Sequence, residues 1–261
     1  MNIFEAILLG VIQGLTEFLP VSSSGHLEIG QAVLGTSFEN NLLFTVVVHG
    51  ATMLSTIVVF FSEIKILTFE GFNLKMNDSK KYLFNIFISM LPVLVVGLFF
   101  EEKIEGFFGG DIRFVGIMLF VTAGLLSLTY FIKKEGKKRI PLPDAFIMGI
   151  AQAMAVLPGI SRSGATISAG VLLGNKREDV ARFSFLMVLI PILGANMLAL
   201  RDVGNLSELS ESLWVLATGF IAAFVSGLLA CKWMIKIVKE GKLIYFAAYC
   251  IVIGSIALFF L

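Results

Sequence analysis

The sequence predicts an all-α polytopic membrane protein built from two repeats of opposite orientation. Its 261 residues are 57% hydrophobic and only 15% charged, whereas a soluble domain has about 25% charged residues. The apolar residues form runs long enough to cross about 30 Å of hydrocarbon as helices of about 20 residues. In addition, two regions offset by 139 residues share one motif. These three observations together predict the fold.

Six segments are predicted as membrane-spanning helices because each is a long apolar run. Two further apolar regions, 2–36 and 143–174, are interrupted in the middle by Pro, Gly and Ser. Pro ends a helix near the preceding residue, and Ser is a good cap for the next helix. Each region is therefore predicted as a re-entrant helix-turn-helix that returns to the side it came from. The six spans are 42–62, 82–100, 113–132, 180–200, 212–235 and 243–261.

The basic residues support this arrangement. If both interrupted regions are re-entrant, 16 of the 20 Lys and Arg residues lie in loops on one side. A span over 143–174 would instead separate two of these basic loops. Because Lys and Arg concentrate in cytoplasmic loops, both termini are expected on the extracytoplasmic side of the membrane. The four basic loops are near 63–82, 133–142, 174–182 and 232–242.

The two interrupted regions carry the same motif, G-x-x-Q-x8-S-x-S-G. The first copy begins at Gly10 and the second at Gly149. Three predicted spans follow each copy, and because three is odd the second copy must be upside down relative to the first. The single membrane domain is therefore predicted to contain inverted repeats 1–135 and 140–261, with broken helices meeting near the midplane.

The two turns predict an anion site. Each returning half-helix begins at its Ser-Gly turn, so its unpaired N–H groups and the positive end of its dipole point into the membrane interior. Phosphate is the expected anion. The residues expected to bind it are Ser22, Ser24, Gly25, Ser161, Ser163, Gly164 and Thr166.

Charged side chains near the turns are candidates for binding the anion and a cation. Arg162 has the planar fork that suits a phosphate group, although it could instead pair with a carboxylate and hold helices together. Glu17 is the candidate ligand of a hard divalent cation that bridges diphosphate oxygens. Gln13, one turn earlier, could add a neutral oxygen ligand. A neutral buried acid, or a partner of Arg162, is the alternative interpretation of Glu17.

His26 and Ser23 are the candidates for proton transfer and nucleophilic attack. We favour Ser23 as the nucleophile and His26 as its base, with His26 as nucleophile and direct attack by water as alternatives. His49 has no local partner and is interpreted as packing or as support for the site. The second copy has Val156 and Ala165 where the first has its acid and imidazole. This chemical inequality favours phosphoryl transfer over transport.

The stretches GVIQGLTEFLPVSSSGHL at 10–27 and GIAQAMAVLPGISRSGATISAGVLLG at 149–174 resemble the undecaprenyl-diphosphate phosphatases of the bacitracin-resistance family. The family motifs are (E/Q)xxxE and PGxSRSxxT, and Gln13 takes the Gln option, so one carboxylate of many relatives is missing. The resemblance implies hydrolysis of undecaprenyl diphosphate to the monophosphate, recycling of the cell-wall lipid carrier, and bacitracin resistance. It also implies a divalent cation, Mg²⁺ or Ca²⁺, and a site open to the extracytoplasmic face. The family roles fall on Glu17, Ser23, His26 and Arg162.

The expected partners are a polyprenyl diphosphate lipid and the bilayer. The net charge of +1 gives no indication of nucleic-acid binding. The oligomeric state stays open, with a homodimer as one alternative. The alternative function is a transporter or flippase of prenyl phosphate lipids that uses the same midplane anion site without hydrolysis.

Overall fold

The computed structural model of the chain is a bundle of helices. It describes residues 1–35, 42–73, 77–108, 111–132, 136, 139–202 and 213–260, and none of these residues belongs to a β-strand, which confirms the all-α prediction for them. The α-helices are α1 Ile3–Phe18, α2 Ser23–Leu34, α3 Leu42–Val59, α4 Phe61–Gly71, α5 Asp78–Glu105, α6 Ile112–Leu128, α7 Leu142–Met154, α8 Arg162–Leu172, α9 Arg177–Met187, α10 Leu189–Asp202, α11 Leu213–Lys239 and α12 Ile244–Phe259.

Within these described ranges, four helical stretches are long and apolar enough to cross a membrane. They are Asp78–Phe100, Ile112–Phe131, Arg177–Leu198 and Leu213–Lys239, and they match four of the six predicted spans. The bent pair α3 and α4 would make a fifth span. The last predicted span contains α12, which has 16 residues. The chain is therefore a multi-pass membrane protein.

The predicted span over 42–62 is not one straight helix. α3 ends at Val59, and α4 continues at an angle of 74°. Phe60, at the bend, is buried and packs against Phe185, with ring centroids 6.1 Å apart. No residue of α4 is buried, and the helix carries Glu63 and Lys65. Because charged side chains are costly in hydrocarbon, this part of the chain turns away along the surface of the bundle.

Both interrupted regions are broken where the sequence predicts. The first break lies between α1 and α2, and the second between α7 and α8. Ser22 caps α2 and Ser161 caps α8, and each side chain accepts a hydrogen bond from the N–H of the glycine three residues later, at 3.3 and 3.0 Å. Ser22 has a φ of 72°, a left-handed conformation that non-glycine residues seldom adopt. The first turn is thus the more strained of the two.

Glycines let the first helix of each interrupted region, α1 and α7, pack closely against a long helix. α1 packs against α11, and α7 packs against α5. A Cβ atom on Gly10 would lie 3.0 Å from the Cβ of Ala222, and one on Gly149 would lie 2.9 Å from the backbone carbonyl carbon of Ser89. A larger residue at either glycine would therefore push two helices apart.

Ion pairs link the described parts of the four basic loops. Several of the lysines in the predicted loops, namely Lys75, Lys133, Lys134, Lys137 and Lys138, lie outside the described residues. The contacts that link the loops are Arg182–Glu63 at 3.0 Å, Lys239–Glu178 at 3.1 Å and the exposed pair Arg139–Asp78.

Candidate active site

Glu17, in the last turn of α1, is the centre of the candidate active site. Its Oε1 lies 2.5 Å from a guanidinium nitrogen of Arg162. Its Oε2 accepts hydrogen bonds from the Ser23 hydroxyl at 2.6 Å and the Gln13 amide at 3.0 Å. Only 7% of the Glu17 side chain and 27% of the Arg162 side chain are exposed. The structure thus brings together the predicted acid Glu17, the guanidinium group of Arg162 and the hydroxyl of Ser23.

The two breaks place these groups side by side. Ser23 is the first residue of α2 and Arg162 the first of α8, so both lie where the helix dipole is positive. The turns also contact each other, since the Ser163 hydroxyl lies 3.3 Å from the carbonyl oxygen of Leu19. Two helix starts and a guanidinium group therefore converge around one carboxylate.

His26 lies in the first turn of α2 but is not hydrogen-bonded to Ser23. Its Nδ1 is 2.8 Å from the carbonyl oxygen of Ser22, and its Nε2 is 2.9 Å from the hydroxyl of Tyr249. Because a carbonyl oxygen can only accept, Nδ1 donates, and the neutral ring then accepts from Tyr249 at Nε2. The two rings also stack, with centroids 5.5 Å apart. In this conformation Ser23 is paired with Glu17, and His26 with Tyr249.

His49, interpreted from the sequence as packing or support, faces the candidate site. Its Nε2 lies 3.9 Å from Oε2 of Glu17, and its Nδ1 lies 2.9 Å from the carbonyl oxygen of Thr45. An ionisable residue inside a membrane segment is a functional candidate by default. This rule could have identified His49 as a candidate site residue from the sequence.

The hydroxyls predicted to bind phosphate make local bonds in this conformation. Ser22 and Ser24 lie 3.4 Å apart, and Ser161 and Ser163 lie 3.3 Å apart, in equivalent positions of the two turns. The backbone N–H groups of Gly25 and Gly164 are used by the caps. An anion at the turns would therefore have to compete with these bonds or bind groups beside them.

Two polar residues outside the motifs stabilise the second turn. Thr122 of α6 donates to the carbonyl of Gly159 and accepts from the backbone N–H of Ser161, both at 3.0 Å. Thr166 lies 2.6 Å from the hydroxyl of Ser184 in α9 and donates to the carbonyl of Arg162 at 2.8 Å. Thr166, predicted to bind substrate, therefore ties α8 to α9 in this conformation. Thr122 and Ser184 were not predicted from sequence.

The cavity beside Glu17 and Arg162 is small. Its volume is about 20 Å³, and it is lined in part by Thr52, Thr56 and Ser184. A water molecule needs about 10–15 Å³ on this measure, so the cavity has room for a water molecule or a cation. A diphosphate is larger and would have to separate Arg162 from Glu17.

A larger cleft lies on the other side of His26. It has a volume of about 710 Å³ and is formed by the ends of α1 and α11 and the start of α12. Tyr249, which contacts His26, lies in its wall with Trp233, and Lys236 and Lys242 also line it. This volume is in the range of ligand pockets.

The donor atoms around Glu17 fit a hard divalent cation. Besides the carboxylate, the Oε1 of Gln13 is buried and has no hydrogen-bond partner. Among the residues that the structure describes, no three His, Cys, Asp or Glu side chains form a metal-binding group. Cations such as Mg²⁺ are commonly bound by one or two carboxylates together with substrate phosphates. A cation here would therefore share its coordination with the substrate.

Comparisons with known proteins agree over nearly the whole chain. The family model for the bacitracin resistance protein BacA matches residues 6–256. The undecaprenyl-diphosphatase of Bacteroides fragilis strain YCH46 is 52% identical to the chain, covering 99% of it and 98% of that protein. The undecaprenyl-diphosphatase of Christiangramia forsetii is 55% identical, covering 100% and 98%. That of Methanococcus vannielii is 40% identical, covering 98% and 100%.

The Glu17–Arg162 pair should contribute to stability much more than an exposed ion pair does. We expect Glu17→Gln and Arg162→Gln, made singly and together, to show a coupling free energy of about 1–3 kcal/mol in a double-mutant cycle. Removing one partner leaves the other charge buried without compensation. The measurement is unfolding of the detergent-purified protein.

The control is the pair Asp78–Arg139, whose side chains are 61% and 74% exposed. Exposed pairs contribute about 0–1 kcal/mol, so the cycle with Asp78→Asn and Arg139→Gln should give little coupling. Equal coupling free energies in the two cycles would show that the Glu17–Arg162 pair stabilises the protein no more than an exposed ion pair does.

Proposed function

Because the chain belongs to the bacitracin resistance protein family, we propose that it hydrolyses undecaprenyl diphosphate to undecaprenyl phosphate and inorganic phosphate. The observation that supports this most strongly is the cluster of Glu17, Arg162 and Ser23 at two facing helix starts. The reaction regenerates the lipid carrier of cell-wall synthesis. It also removes the diphosphate to which bacitracin binds, which accounts for resistance.

Substrate binding begins with an exchange of partners at Arg162. The diphosphate carries more negative charge than one carboxylate and offers pairs of oxygens that suit the guanidinium fork. It therefore replaces Glu17 as the partner of Arg162, and the dipoles of α2 and α8 stabilise it further. Glu17 is then free to act on Ser23 and on a cation.

The structure favours Glu17 as the group that takes the proton of Ser23. As Ser23 Oγ attacks the terminal phosphorus, an O–P bond forms and the bond from that phosphorus to the bridging oxygen breaks. Undecaprenyl phosphate leaves, and the hydroxyl proton passes to Glu17 at the 2.6 Å contact. Water then hydrolyses the phosphoserine and releases phosphate. His26 could replace Ser23 as nucleophile only after its bond to Tyr249 opens.

Glu17 and Gln13 would hold the divalent cation, Mg²⁺ or Ca²⁺. The cation supplies positive charge that neutralises diphosphate oxygens during transfer. The unpartnered Oε1 of Gln13 supports this assignment.

We also propose that the fold is an inverted repeat with two re-entrant regions. Several equivalences support it: Ser22 and Ser161 are matching caps, and α1 on α11 matches α7 on α5. α6 and α12 pack through reciprocal contacts, since a Cβ on Gly116 or Gly254 would lie 2.9 Å from the carbonyl oxygen of the other. Such reciprocity is expected where a two-fold axis passes between two helices.

In this proposal the basic face of the bundle is cytoplasmic. Both termini lie on the extracytoplasmic side of the cell membrane, and the candidate site opens to that side. The basic contacts around Glu178 support the assignment, because Lys and Arg concentrate on the cytoplasmic side.

Cysteine labelling tests this topology. A cysteine at Asn2 or Leu213 should react with an impermeant maleimide from outside intact cells, whereas a cysteine at Pro141 or Asn175 should react only after the cells are opened. The two native cysteines are buried, so their background should be low. Outside labelling at both Pro141 and Asn175 would reverse the orientation, and labelling of these two from opposite sides would exclude a re-entrant 143–174 and with it the repeat arrangement.

Phosphate release tests the function. The detergent-purified protein should release phosphate from undecaprenyl diphosphate, and Arg162→Ala should lose at least about 100-fold in rate because the main phosphate contact is gone. Arg162→Lys should recover little, since an ammonium group lacks the fork. Arg139→Lys is the matched control and should keep the full rate. A protein that binds the lipid but releases no phosphate would support the transport alternative.

A further inference from the structure

We infer that His49 is a direct ligand of the divalent cation, so that the cation site combines an imidazole nitrogen with the Glu17 carboxylate. The inference rests on the proposed function in one respect, namely that a divalent cation binds beside Glu17. His49 lies in α3, outside both sequence motifs. The geometry of its imidazole ring is therefore the evidence for this role.

The orientation of the His49 ring is that of a metal ligand. Nδ1 lies 2.9 Å from the carbonyl oxygen of Thr45, which can only accept, so Nδ1 carries the hydrogen. In the neutral ring, Nε2 then has a free lone pair, and it is the nitrogen that faces Glu17. Histidines that bind metals usually donate their other ring N–H to a carbonyl or a carboxylate in this way.

The separation of the donor atoms also fits a shared cation. Nε2 of His49 and Oε2 of Glu17 are 3.9 Å apart, beyond hydrogen-bond distance. Bonds from a metal to nitrogen and oxygen are about 2.0–2.2 Å long, so one ion can reach both atoms.

The two oxygens of Glu17 face different groups. Oε1 contacts Arg162, whereas Oε2 faces Ser23, Gln13 and His49. A cation on the Oε2 side would have the carboxylate and the imidazole as protein ligands. The amide oxygen of Gln13, which is buried without a partner, would join them only after the amide rotates, because its nitrogen now donates to Oε2. Arg162 and the cation would then hold the diphosphate from two sides of one carboxylate.

An imidazole ligand changes the metal preference of the site. Ca²⁺ takes oxygen ligands almost exclusively, whereas imidazole suits transition metals. The protein should therefore bind Zn²⁺ more tightly, relative to Ca²⁺, than the variant His49→Gln does.

The test is pulsed electron paramagnetic resonance of Mn²⁺ bound to the full-length protein with methylenediphosphonate, a diphosphate analogue that is not hydrolysed. A nitrogen bonded to Mn²⁺ modulates the electron spin echo. The chain has 2 histidines, so two variants assign the signal. We expect ¹⁴N modulation in the wild type and in His26→Gln, and none in His49→Gln, whose Mn²⁺ affinity should fall by at least about tenfold.

If His49→Gln folds poorly, the variant His49→Glu provides a second test of the same ligand. It should restore Mn²⁺ binding through a carboxylate but show no ¹⁴N modulation. The inference would be overturned if ¹⁴N modulation persisted in His49→Gln. It would also be overturned if Mn²⁺ bound the wild type without ¹⁴N modulation, or did not bind the wild type at all. If the wild type releases phosphate from undecaprenyl diphosphate in the same preparations, such a result would refute the role of His49 and leave the proposed function standing.

Discussion

The buried carboxylate of Glu17 is the interaction on which the candidate site depends. A charge inside a membrane protein must be paired and hydrogen-bonded, because its desolvation is otherwise too costly. Arg162 supplies the opposite charge from the other half of the chain, and Ser23 and Gln13 supply hydrogen bonds. These partners hold the two broken helices together at their turns. In the proposed reaction, the diphosphate separates this same pair when it binds.

The two turns are built alike, but the side chains that they carry differ. Both turns have a capping serine and a glycine with its N–H on that serine. The acid, the hydroxyl and His26 all come from the first turn, however, and the guanidinium comes from the second. Two similar helix starts can each attract an anion, and unequal side chains between them can bind and cleave it. The cavity beside Glu17 is too small for a diphosphate while Glu17 and Arg162 are paired.

Local chemistry made the breaks, the caps and the candidate residues predictable from sequence. Pro20 and Pro158 mark the breaks, and the Ser-x-Ser-Gly pattern marks the caps. The partners within the site were not predictable, because they depend on how α2 rotates and on contacts distant in sequence. His26 meets Tyr249, which is 223 residues away, and Glu17 meets Arg162, which is 145 residues away. The bend at Phe60 was also missed, since the apolar run continues through it.

We propose that phosphoryl transfer takes place at the Glu17 cluster, with Ser23 as the nucleophile whose proton Glu17 accepts. The most direct measurement is an acid quench during turnover of undecaprenyl diphosphate labelled in its terminal phosphate, followed by peptide analysis. Acid-stable label is expected on the peptide that contains Ser23 in the wild type, and Ser23→Ala should lose both label and turnover. Ser255→Ala, whose hydroxyl donates to the carbonyl of Ile251 within α12, should keep both. Acid-labile, base-stable label on a histidine, or full turnover by Ser23→Ala, would contradict this mechanism.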